Sequence, residues 1–292
     1  MDNNKASLNW FPGHMAKAKR ELEENIKLVD LIIELRDARM PLASFNESFK
    51  DLYKNKKTLT IYNKADLIDD NSKELIKKKY SNDNILLIDS KASSTKKVVI
   101  SKINELSKDK IEKNLRRGIR NTEIRVMVIG IPNVGKSTLI NTISSKKSAR
   151  VENKPGVTRS LQWINIDKTI KLLDTPGILA PKLNSEKDAL LLSLLGAIND
   201  EVIDIEACAE YACEYLWENN KEILISRYGI DSNKDFINNI GESKKVFKTN
   251  GEIDSLKTAK MIVNDVRDGK LGKLIWEKID AWKQIWKISL ES

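Results

Sequence analysis

One loop of the sequence carries the residue types that hold the phosphates of a nucleotide. The segment Gly130-Ile-Pro-Asn-Val-Gly-Lys-Ser137 fits the pattern G-x-x-x-x-G-K-[S/T], and it follows the β-branched run Ile124–Ile129. The glycines of such a loop let backbone N–H groups point at an anion, the lysine charge reaches the outer phosphates, and the hydroxyl ligates Mg²⁺. We therefore expect a nucleoside triphosphate here. The expected contacts are Asn133, Val134, Gly135, Lys136, Ser137 and Thr138.

Two later segments supply further phosphate and metal chemistry. Asp174-Thr-Pro-Gly177 follows the run Ile170–Leu173, and an acid at the carboxyl end of a strand can hold Mg²⁺ through water. The N–H of Gly177 can sense the terminal phosphate, as in a nucleotide switch. Thr158 lies in the Gly/Pro-bearing loop between the two phosphate motifs, where it is the natural second hydroxyl ligand. The predicted Mg²⁺ ligands are Ser137, Thr158 and Asp174.

A fourth segment indicates which base is bound. Asn63-Lys64-Ala-Asp66 follows the run Thr58–Tyr62. The carboxylate of Asp66 can accept hydrogen bonds from N1–H and the N2 amino group of guanine, which adenine does not offer. Ser90-Lys91-Ala92, after the run Ile85–Ile88, fits the loop that backs the base. These features predict GTP and GDP as ligands. The alternative is a kinase or ATPase in which the Asn63–Asp66 match is coincidental, and Asp66 argues against it.

The strand-like runs, which also include Leu28–Leu35 and Trp163–Ile166, alternate with the basic helical stretches Lys64–Lys79 and Lys96–Arg117. Near-continuous apolar strands with helical spacers predict an α/β fold with a mostly parallel sheet. In an ordinary GTPase the guanine motif follows the phosphate loop, but in this chain it comes first. A parallel sheet tolerates such a circular permutation, because strand adjacency does not depend on where the chain begins.

Strand signals stop near residue 185. Helical patterns follow at Asp188–Ile198, Asp204–Trp217, Ser255–Arg267 and Leu274–Ile288. The sequence thus predicts a circularly permuted GTP-binding domain over residues 1–184 and an all-helical domain over 185–292 that interacts with RNA. Because the switch after Asp174 leads straight into the helical domain, nucleotide state can be transmitted to it as a rigid-body shift.

The charge of the chain is unevenly distributed. The net charge is +9, but residues 1–184 carry 36 basic and 22 acidic side chains, and residues 185–292 carry 15 and 20. The segment 185–242 is the acidic part, with 4 basic and 13 acidic side chains. A basic body favours a polyanionic partner such as nucleic acid. A compositional bias toward lysine explains the charge about equally well.

Composition also excludes several classes of protein. No apolar run approaches the roughly 18–20 residues that a membrane helix needs, and the N-terminus lacks the features of a secretory or transit peptide. Cys208 and Cys213 are too few for a disulfide framework or a four-cysteine zinc site, so we expect two small apolar residues in a helix. We expect a protein of the reducing cytoplasm.

The permuted order is accompanied by specific sequence motifs. Together with Trp10-Phe-Pro-Gly-His14-Met, Asp37-Ala-Arg39, the phosphate loop and Val266–Gly272, it resembles the ribosome biogenesis GTPase A family, the YlqF type. The resemblance implies a GTPase for a late step of large (50S) ribosomal subunit assembly, which binds precursor particles in the GTP state. It implies rRNA and ribosomal proteins as partners, and neither membrane nor DNA.

The residue after the D-x-x-G motif is Ile178, where many GTPases place a glutamine that orients the attacking water. Besides Lys136, the resemblance favours His14 as a catalytic residue, although packing beside Trp10 and Phe11 is the alternative. Asn133 resembles the residue that ligates K⁺ in potassium-stimulated relatives, where the cation supplies the charge of an arginine finger. Two functions remain open: a hydrolase whose cycle times release from the subunit, and a GTP-dependent rRNA-binding scaffold with incidental hydrolysis.

Overall fold

A six-stranded sheet forms the centre of the computed structural model, which describes residues 20–47, 50–81, 84–144, 162–177, 179 and 185–277. The strands are β1 (Leu31–Asp37), β2 (Lys57–Asn63), β3 (Ile85–Leu87), β4 (Ile124–Ile129), β5 (Gln162–Asn165) and β6 (Ile170–Asp174). Their order in the sheet is β3-β2-β1-β4-β6-β5. Every neighbouring pair is parallel except β5 and β6, which are antiparallel. The predicted α/β fold with a mostly parallel sheet is therefore confirmed.

Strand β1 lies in the middle of the sheet, and all seven of its residues are buried. It begins three residues later than the apolar run suggests, because Leu28 belongs to a turn in which its N–H donates to Asn25 O over 2.9 Å. It continues through Asp37, which pairs with Asn63 of β2. A charged side chain therefore ends a strand that is buried on both faces.

Helices cover both faces of the sheet. Leu22 and Ile26 of α1 (residues 20–26) pack with Ile32 on one face. Val99 of α4 (Thr95–Leu106) and Leu139 of α6 (Lys136–Ile143) belong to the cluster on the other face. The remaining bounds in this α/β part (residues 20–179) are α2 (Lys50–Tyr53), α3 (Asp70–Lys79) and α5 (Lys108–Arg116).

Two stretches predicted as single helices are each divided. In the first, a 3₁₀ turn (Ala65–Leu67) precedes α3, because the carboxylate of Asp69 accepts from the N–H of Ser72 over 2.8 Å and so caps a new helix. In the second, Ser107 has the non-helical angles φ −95° and ψ 2° and separates α4 from α5.

The chain from residue 185 to 277, called here the helical part, contains α7 (Glu186–Leu194), a 3₁₀ turn (Asp200–Val202), α8 (Ile205–Tyr228), α9 (Phe236–Ser243) and α10 (Ser255–Arg267). Helix α7 ends earlier than predicted because Gly196, at φ 68°, turns the chain. Helix α8 continues beyond Trp217 to Tyr228, with a kink at Asn220, and Gly229, at φ 72°, caps its end. Helix α9 was not predicted.

The predicted helix at Leu274–Ile288 is wrong for residues 274–277, which are not helical. The N–H of Trp276 donates to Arg39 O over 2.8 Å, so the backbone there bonds to the α/β part rather than to its own next turn. Residues 278–288 lie outside the described residues.

One cluster of buried apolar side chains runs through both parts of the protein, from Leu31 of the sheet to Val266 of α10. Cys208 and Cys213 belong to it on α8, as free buried thiols, which agrees with their predicted role as small apolar residues. Across the described ranges, no helix has the length and apolar character to cross a membrane.

Candidate nucleotide-binding site

Four of the sequence motifs lie along one edge of the sheet. The phosphate loop follows β4, the Asn63–Asp66 segment begins at the last residue of β2, and the Ser90–Ala92 segment comes shortly after β3. Asp174 is the last residue of β6. Since these strands are mutually parallel, their carboxyl ends meet at the same edge. The structure therefore brings together motifs that are far apart in the chain.

The phosphate loop has the backbone conformation that its sequence suggests. Asn133 and Gly135 are left-handed, at φ 61° and φ 96°, and α6 begins at Lys136. A side chain at position 135 would clash with the carboxamide of Asn63, so glycine is required for both φ and space. The first N–H groups of α6 lack helical acceptors and can bind an anion.

Lys136 is buried and folded back on its own loop. Its ammonium donates to Gly130 O over 2.9 Å and to Ile131 O over 2.8 Å. Burial lowers the pKa of Lys136 to about 8, although the carboxylate of Asp174 partly offsets the shift. A phosphate at this loop would replace the carbonyl acceptors with a full negative charge.

Asn63 connects the loops at the edge. Its Nδ2 donates to Val134 O over 2.8 Å, and its Oδ1 accepts from the backbone N–H of Ser90 over 2.9 Å and from its hydroxyl over 2.7 Å. Ser90 O accepts in turn from Thr142 Oγ1 of α6 over 2.6 Å. Asn63 and Ser90 are both 2% exposed. The guanine motif, its backing loop and the phosphate loop are thus one buried network.

The other residues of the predicted guanine pocket surround this network. Lys64, left-handed at φ 59°, donates from its ammonium to Asn133 O over 3.0 Å. Asp66 and Lys91 are exposed, and Ala92 is partly buried. The exposed carboxylate of Asp66 is therefore available to accept hydrogen bonds from the edge of a guanine base.

The first and last residues of the D-x-x-G motif, Asp174 and Gly177, also lie beside the phosphate loop. Asp174 is 4% exposed, and its Oδ1 has no hydrogen-bond partner among the described residues. Burial raises the pKa of Asp174 to about 6, although Lys136 partly offsets the shift. A side chain at Gly177 would meet the backbone of Pro132 at 2.8 Å, so this glycine packs directly on the loop.

An orphaned buried carboxylate oxygen beside the phosphate loop suits a Mg²⁺ ion or its bound water, which prefer oxygen ligands. Ser137 is partly exposed at the start of α6, so its hydroxyl can take part. The residues present therefore fit the metal. His14, Thr158 and Ile178 lie outside the described residues.

Sequence reasoning missed the contacts that the helical part makes with this site. Asn133 Nδ2 donates to Gly196 O, in the turn after α7. Arg39 Nη1 donates to Val266 O over 2.8 Å, at the end of α10. In the sequence, Gly196 lies inside the predicted helical pattern Asp188–Ile198, and no local pattern connects it with the phosphate loop.

The fold and the site define a P-loop GTPase domain whose guanine motif precedes its phosphate loop. The sequence family described as 50S ribosome-binding GTPase matches residues 125–250. The ribosome biogenesis GTPase A of Bacillus licheniformis is 40% identical over 277 residues, which cover 93% of this chain and 98% of that protein. The Thermotoga maritima protein of the same name is 29% identical over 272 residues, 93% of this chain and 94% of that one.

The structure of GNP-bound YlqF from T. maritima is similar at a TM-score of 0.64 and 26% identity, covering 90% of this chain and 98% of that one. The GDP-bound form is similar at a TM-score of 0.65. The chain belongs to the ribosome biogenesis GTPase A family. Membership makes it a GTPase of ribosome assembly that binds guanine nucleotide, as a rule with Mg²⁺.

Proposed function

We propose that this protein acts in a late step of large (50S) ribosomal subunit assembly, where it binds precursor particles in the GTP state and hydrolyses GTP as they mature. The observation that carries the nucleotide-binding part of the proposal is the Asn63 network, which fixes the guanine motif against the phosphate loop. The description of the matching family as 50S ribosome-binding supports the choice of subunit.

In this proposal Asp66 reads the guanine edge, and Ser90, Lys91 and Ala92 back the base. The loop from Asn133 to Thr138 binds the phosphates with its N–H groups, and Lys136 adds a positive charge that stabilises the transferring phosphoryl group. The nucleotides named for the T. maritima structures, GNP and GDP, support this assignment.

The metal set in the proposal is Ser137, Thr158 and Asp174. Mg²⁺, when bound there, neutralises charge that develops on the phosphate oxygens. The contribution of this chain is to keep Asp174 buried beside Lys136, whose charge favours the ionised carboxylate, and to keep Gly177 against the loop, where its N–H can meet a terminal phosphate.

Water activation is assigned to His14, because Ile178 carries no group that could orient water. K⁺ bound through Asn133 is a further part of the proposal. The helical part holds the Asn133 carboxamide through Gly196 O, so the side chain is already oriented at the loop. Turnover should be faster in K⁺ than in Na⁺ at equal ionic strength, and equal rates would exclude the K⁺ role.

The proposed partners are rRNA and ribosomal proteins of the precursor, met in the cytoplasm, with no membrane or DNA involved. The proposed division is a GTP-binding domain over 1–184 and an RNA-interacting domain over 185–292. Helix α5 supports a basic contact surface, since none of its residues is buried and it includes Lys108, Lys113 and Arg116. In the helical part, the exposed Phe247 lies between lysines at 245 and 248.

Co-sedimentation with purified 50S precursors tests the proposal, with 30S subunits as the matched control particle. Binding should require a non-hydrolysable GTP analogue, be lost with GDP, and weaken steeply as salt rises, because phosphate contacts release counterions. Binding to both particles alike, or a flat salt dependence, would contradict it. Turnover that precursor particles do not stimulate would favour the scaffold function instead.

A further inference from the structure

Asp37 and Arg39 join the guanine motif to the far end of the helical part. Lys64 Nζ lies 2.8 Å from Asp37 Oδ2 and also donates to Asn133 O. The guanidinium of Arg39 meets both oxygens of Asp37, at 3.0 Å and 2.9 Å. Its remaining donors reach Val266 O over 2.8 Å and Arg267 O over 3.2 Å. These contacts form one continuous chain from the phosphate loop to α10.

Both oxygens of the Asp37 carboxylate have partners within this set of contacts. Besides the guanidinium and the ammonium, it accepts from the backbone N–H of Arg39 over 3.0 Å, and its side chain is 0% exposed. Burial by itself raises the pKa of Asp37, but the charges of Arg39 and Lys64 outweigh it and hold the pKa well below its usual range. The group is therefore a permanent anion between two cations.

Lys64 depends on this anion for its position. Burial lowers the pKa of Lys64, and the charge of Asp37 opposes that shift. Its side chain is 26% exposed, and its ammonium is held between Asp37 and the carbonyl of Asn133. The side chain of Lys64 thus connects the guanine motif, which holds its backbone, with the phosphate loop, which its ammonium contacts. Without Asp37 the ammonium would keep one neutral acceptor and would gain by turning to water.

Arg39 provides the connection to α10. The last carbonyls of a helix lack intrahelical donors and carry partial negative charge, so a buried guanidinium is a favourable cap. The turn after α10 also packs against the 3₁₀ turn that overlaps the end of the guanine motif. A side chain on Gly269 would meet Leu67 at 2.7 Å. A displacement of Lys64 or of the 3₁₀ turn would therefore change the contacts at the C-terminal end of α10.

We propose that Asp37 is a positioning residue for Lys64, and that Arg39 couples the guanine site to the C-terminal end of α10. This inference rests on the proposed guanine site. Neither side chain needs to touch the nucleotide, because each acts through the next member of the chain.

A double-mutant cycle on the full-length protein tests the first half, with fluorescent GDP as the probe. Asp37→Asn should weaken GDP binding about tenfold in the wild-type background, and less than twofold in a Lys64→Met background. A merely structural role would weaken binding equally in both backgrounds. Equal effects, or no effect in the wild-type background, would overturn the inference. If Asp37→Asn fails to fold, Asp37→Ser replaces it in the same cycle.

Glu277→Gln is the matched control. Glu277 is also a buried acid that joins the two parts, accepting from the N–H groups of Leu42 and Ala43, but it does not belong to the Lys64 chain. Its loss should leave GDP affinity within twofold. A tenfold loss would show that any broken contact between the parts suffices and would overturn the assignment to Asp37.

Hydrogen exchange tests the second half. In wild-type protein, GDP should slow the exchange of the amides at residues 266–270 about fivefold or more. In Arg39→Met, GDP should still bind but should leave those amides unchanged. A GDP effect that persists in Arg39→Met, or its absence in wild type, would overturn the coupling. Wild-type protein that binds no GDP at all would overturn the proposed function itself, which separates the two failures.

Discussion

The carboxamide of Asn63 donates to the carbonyl oxygen of Val134, 71 residues further along the chain, over 2.8 Å. The same side chain accepts from both the backbone and the hydroxyl of Ser90. One buried amide therefore holds the loops for the base and for the phosphates at a fixed distance, before any nucleotide binds.

Replacement of Asn63 by alanine should lower the free energy of unfolding by about 2–4 kcal/mol, because Val134 O and the donors of Ser90 would lose their buried partner. GDP affinity should fall in parallel, as the two loops lose their common fixed point. Chemical denaturation and GDP titration measure the two effects. Asn238→Ala is the control, since Asn238 bonds to Asp235 at the surface, and it should change stability by less than about 0.5 kcal/mol.

Asp66→Asn should weaken GDP binding roughly a hundredfold or more, since a carboxylate that accepts two hydrogen bonds is lost. The amide can instead donate to the C2 carbonyl of xanthine, so xanthosine diphosphate should become the better ligand. Competition among GDP, XDP and ADP for the labelled site measures this. Asp70→Asn, an exposed neighbour at the start of α3, should keep the guanine preference. Unchanged preference in Asp66→Asn would remove Asp66 from base recognition.

GDP binding should take up a proton at pH 8.5. With its pKa at about 8, Lys136 is mostly neutral there in the free protein, and a bound phosphate favours the ammonium. Affinity should therefore fall as pH rises above 8, by at most a factor of about ten per pH unit. Calorimetry in two buffers of different ionisation enthalpy, without Mg²⁺, should give an uptake of about half a proton or more. Identical heats in both buffers would contradict this.

Glu277 should make stability depend on pH. Burial raises its pKa to about 7 in the folded protein, despite hydrogen bonds from the N–H groups of Leu42 and Ala43, whereas the ordinary value is 4.5. Between pH 4.5 and 7 the folded state therefore binds more protons than the unfolded state. The stabilisation that comes from protonated Glu277 is complete below pH 4.5 and is lost as the pH rises through 7. In Glu277→Gln, the free energy of unfolding should lack this pH dependence, which amounts to about 3 kcal/mol at most. The exposed Glu252→Gln should reproduce the wild-type profile.

His14→Ala should lower single-turnover GTP hydrolysis about 10²-fold or more in the presence of precursor particles, because general catalysis by a positioned side chain contributes on that scale. Nucleotide affinity should not change. An unaltered rate at unaltered affinity would return His14 to a packing role.

The sequence predicted the elements that carry local patterns. The β-branched runs identified the strands, and the phosphate loop and guanine motif stand at the strand ends, as expected. Boundaries were less accurate where a single capping residue decides them. Helix α7 ends earlier than predicted because Gly196 turns the chain, and α3 begins later than predicted because Asp69 caps it. At Leu274–Trp276, tertiary hydrogen bonding to Arg39 replaced the helix that periodicity suggested.

By itself, the sequence determined the chemistry of the site, because glycine spacing, lysine charge and carboxylate acceptors are properties of residue type and local order. Only the tertiary structure decided which side chains connect the motifs. That Asn63 meets Val134 and Ser90, or that Arg39 caps α10, depends on how strands and helices pack across long separations in the chain. The periodicity of a sequence indicates which face of a helix or strand is buried, but it does not indicate which polar group of a neighbouring element that face will contact.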